Sequence, residues 1–244
     1  DGGSGSPLLL LHGFPATRTL WRETAPGLRA LGFRVLVPDL IGYGESTAAA
    51  RARIDMASQA KWMLELLDRL GVERAVVIAH DVGSAAAQLM LATAPARVRA
   101  LVVLDGVYGR EWAMSAIDSI RDWEERDAER LLPVLMRRLG KGPGMRDMLA
   151  SYAGHAGGLA LIRAARDLDP TQTEHIDAAL AAAGVPARVI WGEHDPFLSI
   201  ASVARPLAQL LRAQLVIVPG GHFTPLDCPA EVLGALRDFL AALP

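Results

Sequence analysis

The residues with the clearest chemical potential lie in Ala79-His80-Asp81-Val82-Gly83, where a carboxylate stands at the centre of a strand-to-helix turn. A turn this tight accepts only small side chains two positions before and two after its centre, and Ala79 and Gly83 meet that demand. The central side chain then projects from the sheet edge, and the backbone N–H groups after it face the same space. Asp81 is read as a nucleophile; the competing reading is an N-cap of the following helix. A carboxylate that attacks an ester gives an anhydride, which is unproductive. Attack on an sp³ carbon bearing a leaving group gives an alkyl ester that water can hydrolyse, and halide or a strained epoxide oxygen would serve as that leaving group.

Hydrolysis of such an ester needs a base, a group to orient it and donors for an oxyanion. Gly220-Gly221-His222-Phe223 follows the last apolar strand, and His222 is the expected base. Trp191-Gly192-Glu193-His194-Asp195-Pro196 places Asp195 just past another strand, where it would orient His222. Asp105, closing Leu101-Val102-Val103-Leu104, is the rival acid. In His12-Gly13-Phe14-Pro15 the glycine allows a close approach to the elbow, so the N–H of Phe14 can pair with that of Val82 as an oxyanion hole. His12 reads as a structural hydrogen-bonding residue. No metal ligand set and no cofactor are expected; the reaction needs only a small-molecule substrate and water.

These residues all end strands or start helices, and the intervening segments show how. Apolar runs at Pro7 to Leu11, Phe33 to Pro38, Ala75 to Ala79, Arg99 to Leu104, Arg188 to Trp191 and Gln214 to Val218 read as strands. Helical stretches at Trp21 to Leu31, Met56 to Leu70 and Ser84 to Ala94 alternate with them, which predicts an α/β fold with a doubly wound, mostly parallel sheet. Residues 107–183 break the rhythm with several charged helices and no clear strand. They read as a short helical cap inserted into a core formed by 1–106 and 184–244, with Gly140, Gly142 and Gly144 joining cap helices. The cap offers Tyr108, Trp112, Trp123, Tyr152 and His155 as substrate-binding candidates, although packing is the commoner role of each residue type.

The chain has 244 residues, 51% of them hydrophobic, a composition that suits one domain with a sheet buried on both faces. A net charge of −2 gives no basic footprint for nucleic acid. Cys228 is the single cysteine, so no intrachain disulfide can form. No apolar run reaches the roughly 18 residues of a membrane span. No signal-like leader is read either, and a cytoplasmic location is expected. Oligomeric state is not readable.

Taken together, His12-Gly13-Phe14-Pro15, Asp39 to Ser46, His80-Asp81-x-Gly83, Gly192-x-x-Asp195 and Gly221-His222 resemble the epoxide hydrolase and haloalkane or haloacetate dehalogenase branch of the α/β-hydrolase superfamily. The resemblance implies the α/β-hydrolase fold and an Asp81, Asp195, His222 triad, with Asp105 as the alternative acid. It is good over the core and poor over the cap. Ile162-Arg163 stands where epoxide hydrolases of this branch carry a tyrosine before an arginine. Val82 stands where haloalkane dehalogenases carry a halide-holding tryptophan and haloacetate dehalogenases an arginine. Three readings therefore remain: an epoxide hydrolase-like enzyme, a dehalogenase using the same two steps, and a non-catalytic or repurposed member of the fold.

Overall fold

In a computed structural model, which describes residues 1–139 and 143–243, six parallel strands form one sheet in the order β2-β1-β3-β4-β5-β6. They are β1 (Pro7–Leu11), β2 (Arg34–Leu36), β3 (Ala75–His80), β4 (Val98–Leu104), β5 (Ala187–Gly192) and β6 (Gln214–Val218). Every residue of β3 is buried, and β4 is buried at all positions but Arg99. This is the continuous apolar pattern of strands covered on both faces, and each such Val, Leu or Ile contributes about 1.5–3 kcal/mol of burial.

The helices that cover the sheet are α1 (Thr24–Ala30), α2 (Met56–Arg69) and α3 (Gly83–Thr93) in the first half of the chain. Between β4 and β5 come α4 (Met114–Arg121), α5 (Leu131–Leu139), α6 (Pro143–Leu149), α7 (Gly154–Asp167) and α8 (Asp177–Ala183). After β5 follow α9 (Arg205–Leu210), α10 (Thr224–Asp227) and α11 (Pro229–Ala241). None of the helices among the described residues is long and apolar enough to cross a membrane.

Local chemistry sets most of these boundaries. Asp55 caps α2 by accepting from the Ser58 N–H at 2.8 Å. The helix expected over Trp21 to Leu31 is instead a 3₁₀ turn at Arg18–Trp21 followed by α1. Pro26 explains the break: lacking an N–H, it fits the first turn of a helix and not its interior. Gly140 and Gly142 lie outside the described residues, and Gly144 falls inside α6.

The segment between β4 and β5 is helical among its described residues, apart from an isolated bridge between Tyr108 and Glu111. Its helix α7 packs against α4 and the 3₁₀ turn Glu125–Arg130, whereas α8 packs on α3 and α9 beside the sheet. Two glycines let the sheet edge close up beneath it. A Cβ on Gly83 would overlap the His12 carbonyl oxygen, and one on Gly13 would stand 2.6 Å from Asp81 Oδ2. The neighbours of Gly83 are backbone atoms that cannot swing away. Gly83→Ala is expected to cost roughly 1–3 kcal/mol and to lower Tm by several degrees. Thermal unfolding followed by circular dichroism checks this, with Gly234→Ala, where a Cβ meets open space, as the control.

Candidate active site

β3 ends at His80, and the chain reverses into α3 through Asp81, whose φ of 50° lies in the left-handed region that most residues avoid. Strain of this kind persists only where the surroundings enforce it. Here the Asp81 N–H is tied to the Leu104 carbonyl at 3.2 Å and its carbonyl accepts from Ser84 N–H at 2.9 Å. The side chain is thereby held out over the ends of β1 and β3, buried and facing the loop after β1.

The two oxygens of the Asp81 carboxylate have different partners. Oδ2 accepts from the Phe14 N–H at 2.8 Å. Oδ1 lies 3.7 Å from His222 Nε2, beyond a direct hydrogen bond. Burial pushes the Asp81 carboxyl above the ordinary carboxylate range, and His222 with the amides of Val82 and Phe14 acts against that shift. The two N–H groups paired in the sequence reading thus face one carboxylate.

On its other side His222 Nδ1 meets Asp195 Oδ2 at 2.9 Å. The Asp195 carboxylate is itself fixed, its Oδ1 accepting from the N–H groups of Phe197 at 2.8 Å and Leu198 at 3.1 Å. Burial alone would lower the His222 pKa. The hydrogen bond to Asp195 and the charges of Asp81, Asp195 and Asp105 outweigh it and raise the value to about 9. The imidazole is therefore charged near neutrality, flanked by carboxylates on both sides.

Asp105 does not reach the histidine ring by hydrogen bond. Its Oδ1 accepts from the Gly192 N–H at 2.7 Å and its Oδ2 from the Thr224 hydroxyl, so the carboxyl links the end of β5 to the start of α10. Burial raises its pKa well above the ordinary value. The rival acid is thus placed as a brace between the loops that carry Asp195 and His222, because both of its oxygens are taken by other donors.

The two strand-end histidines are neutral struts. His12 Nε2 accepts from the Leu40 N–H at 2.9 Å while Nδ1 donates to the Gly13 carbonyl at 2.9 Å, and burial lowers its pKa to about 4. His80 Nε2 donates to the His222 carbonyl at 2.8 Å, tying the elbow directly to the histidine loop. Burial likewise drives the His80 pKa down.

Above these groups is a cavity of about 120 Å³ that reaches Asp81 and His222. From the sheet side it is bounded by Phe14, Pro15, Phe197 and Phe223. From the helical segment α4 contributes Ile117, Ser119 and Ile120, and α5 contributes Leu135, Arg138 and Leu139. None of the five substrate-binding candidates of the sequence reading borders it. The Tyr108 hydroxyl donates to Asp177 at 2.9 Å, and Trp112 is buried with its indole N–H on Thr173 at 3.0 Å. Tyr152 is buried with its hydroxyl on the Ala16 carbonyl, Trp123 borders a separate surface hollow with Arg130 and Arg137, and His155 is exposed at the start of α7. Tyr108, Trp112 and Tyr152 are committed instead to contacts within the protein, each with its polar atom on a protein acceptor. Sequence does not single out the aliphatic wall, because the i, i+3 and i, i+4 spacings of Ile117 with Ile120 and of Leu135 with Leu139 mark an apolar face without saying what it faces.

Known proteins share this architecture. The family model for the alpha/beta hydrolase fold matches residues 6–141. An uncharacterized protein of Mycobacterium tuberculosis is 28% identical over 98% of this chain and 76% of its own length. Bifunctional epoxide hydrolase 2 of Sus scrofa is 40% identical over 104 residues, 42% of this chain and 19% of that protein. A haloalkane dehalogenase from Bradyrhizobium elkani superimposes with a TM-score of 0.81 at 26% identity, covering 99% of this chain and 94% of that one. With its parallel six-stranded sheet and the family match over more than half of its length, this chain belongs to the alpha/beta hydrolase fold family.

Proposed function

We propose that this protein is an epoxide hydrolase-like hydrolase that acts on a small apolar substrate through a covalent alkyl ester on Asp81. The observation that carries the reading is the inequality of the two Asp81 oxygens. Oδ2 is held by the Phe14 N–H, Oδ1 stands 3.7 Å from His222 Nε2, and both side chains border the cavity. Oδ1 attacks the substrate carbon, the carbon–oxygen bond of the epoxide breaks, and its electron pair goes to the departing oxygen, which takes a proton from water; the hydroxide so formed is neutralised by the proton of the His222 imidazolium, leaving the ring neutral for the next step. Oδ2 becomes the carbonyl oxygen of the ester.

Water then attacks that carbonyl. Its proton passes to His222, the oxyanion develops on Oδ2 beside the Phe14 and Val82 amides, and collapse releases the alcohol, which takes the proton back from His222. Charge coupling prepares the second step. In the free protein the Asp81 carboxylate helps to keep His222 protonated. Alkylation removes that negative charge, so the imidazole loses a counter-ion and becomes a base when one is needed. Asp195 fixes the ring and balances its charge, and α4 to α7 act as the cap that limits access.

A second reading has halide as the leaving group. No tyrosine hydroxyl and no indole N–H lies among the described residues that border the cavity. A departing alkoxide requires a proton and a halide does not, which favours dehalogenation. Partial similarity to epoxide hydrolases in the curated relatives favours the epoxide.

His222→Gln is expected to form the ester and stall, with turnover down by roughly 10²–10⁴-fold. Intact-protein mass spectrometry after incubation with small epoxides and small halogenated compounds reads the result. A gain of the whole epoxide mass identifies the first reading, and a gain short of one hydrogen halide identifies the second. Asp81→Asn should take up no mass from any of them, and labelling that survives this change would remove Asp81 from the mechanism.

The charged histidine also makes a pH prediction. Its pKa is raised from 6.5 to about 9, so its contribution to stability is whole below 6.5 and is lost as pH rises through 9. The Tm difference between the wild type and His222→Gln should shrink over that interval. A difference independent of pH would mean that the ring is not held as an imidazolium.

A further inference from the structure

We propose that Arg138 anchors a carboxylate on the substrate, so that the cavity takes a small apolar molecule carrying one acidic group. The proposal deepens the reading of Asp81 and His222 as the reacting groups, because it concerns the same cavity. Among the described residues bordering that cavity, Arg138 is the single basic side chain on the helical wall; the other polar groups are Ser119, Asp81 and His222.

The guanidinium is positioned and not neutralised. Its Nη1 donates to Ser119 Oγ at 2.7 Å, and the Ser119 hydroxyl donates in turn to the Ala116 carbonyl at 2.6 Å. One edge of the fork is therefore fixed against α4, and its remaining N–H groups meet no acceptor among the described residues. Several other arginines of the same helical segment are spoken for: Arg121, Arg126, Arg130 and Arg166 each meet a carboxylate, and Arg163 is held by the carbonyls of Ala49 and Ala52. No carboxylate among the described residues pairs with Arg138, so a planar bidentate donor is left at the border of an apolar cavity.

The chemistry of the cavity floor makes this placement consequential. An acidic substrate approaching the Asp81 carboxylate is repelled unless a cation holds its charge elsewhere. Arg138 provides that cation on the helical side of the lining. Size limits the remainder of the molecule. A cavity of roughly 150 Å³ accommodates benzene, so the 120 Å³ here suits about five carbon atoms beyond the acidic group.

Hexanoate and hexanamide test the assignment, because they share a chain and differ in charge. Dissociation constants for both are measured by ligand-observed NMR on the wild type, Arg138→Gln and Arg138→Lys. The wild type should prefer hexanoate by about fivefold, the upper range for an exposed ion pair, and the preference should fade in 0.5 M salt. Arg138→Gln should bring the ratio to about one, and Arg138→Lys should keep part of it. Equal binding of the two probes by the wild type, or an undiminished preference in Arg138→Gln, overturns the proposal. Since neither probe can alkylate Asp81, this result is independent of the trapping experiment. Failure to trap an adduct would remove the covalent mechanism and leave the carboxylate anchor standing or falling on the binding ratio alone.

Discussion

The Asp81 carboxylate is taken out of water at the carboxyl edge of the sheet, and much of the surrounding architecture exists to make that tolerable. An ion moved from water into a protein interior loses several kcal/mol of solvation even after relaxation. Here the Phe14 and Val82 amides and the His222 imidazolium offset the loss. Each of those partners requires something further back. The Phe14 amide can approach because residue 13 has no Cβ, and the elbow can press against β1 because residue 83 has none. The imidazolium is present because Asp195 holds its far nitrogen, and Asp195 is held by the turn after β5.

The same dependence links three separate loops into one unit. Asp105 joins the end of β5 to the start of α10, and His80 joins the elbow to the backbone of the histidine loop. Both are polar side chains buried at strand ends with hydrogen bonds to backbone from a distant part of the chain. They work at fixed range between parallel strands whose register sets their spacing. A parallel sheet of this kind brings its strand ends to one edge regardless of their separation in sequence, which is how residues 81, 195 and 222 come together.

Much of this could be read from the amino-acid order, for identifiable reasons. Strands buried on both faces announce themselves as short apolar runs, and the small-x-Asp-x-Gly turn has few alternative explanations. Glycines before Asp195 and His222 likewise mark sharp turns at strand ends. The Gly-x-x-Asp turn favours Asp195 as the acid that meets His222, although Asp105 also closes a strand; the pairing of both Asp105 oxygens with Gly192 and Thr224 separates the two in the structure. The cavity wall was the least legible part. Trp112 and Tyr152 invite selection because aromatic side chains are chemically versatile, yet their bulk is what commits them to interior packing. Ile117, Ile120, Leu135 and Arg138 carry no signal beyond helical spacing, and helical spacing does not reveal which surface a helix is laid upon.

The cavity draws its walls from two sources with different obligations. Side chains from the strand ends are bound into the charge and hydrogen-bond scheme around Asp81, whereas those from α4 and α5 touch the cavity without entering that scheme. Exchanging an isoleucine or the arginine on those two helices alters shape and polarity where a guest molecule sits while leaving the buried ions and their partners as they were. A lineage with this layout can wander through substrate preferences in single steps, each intermediate still folded and still equipped to react.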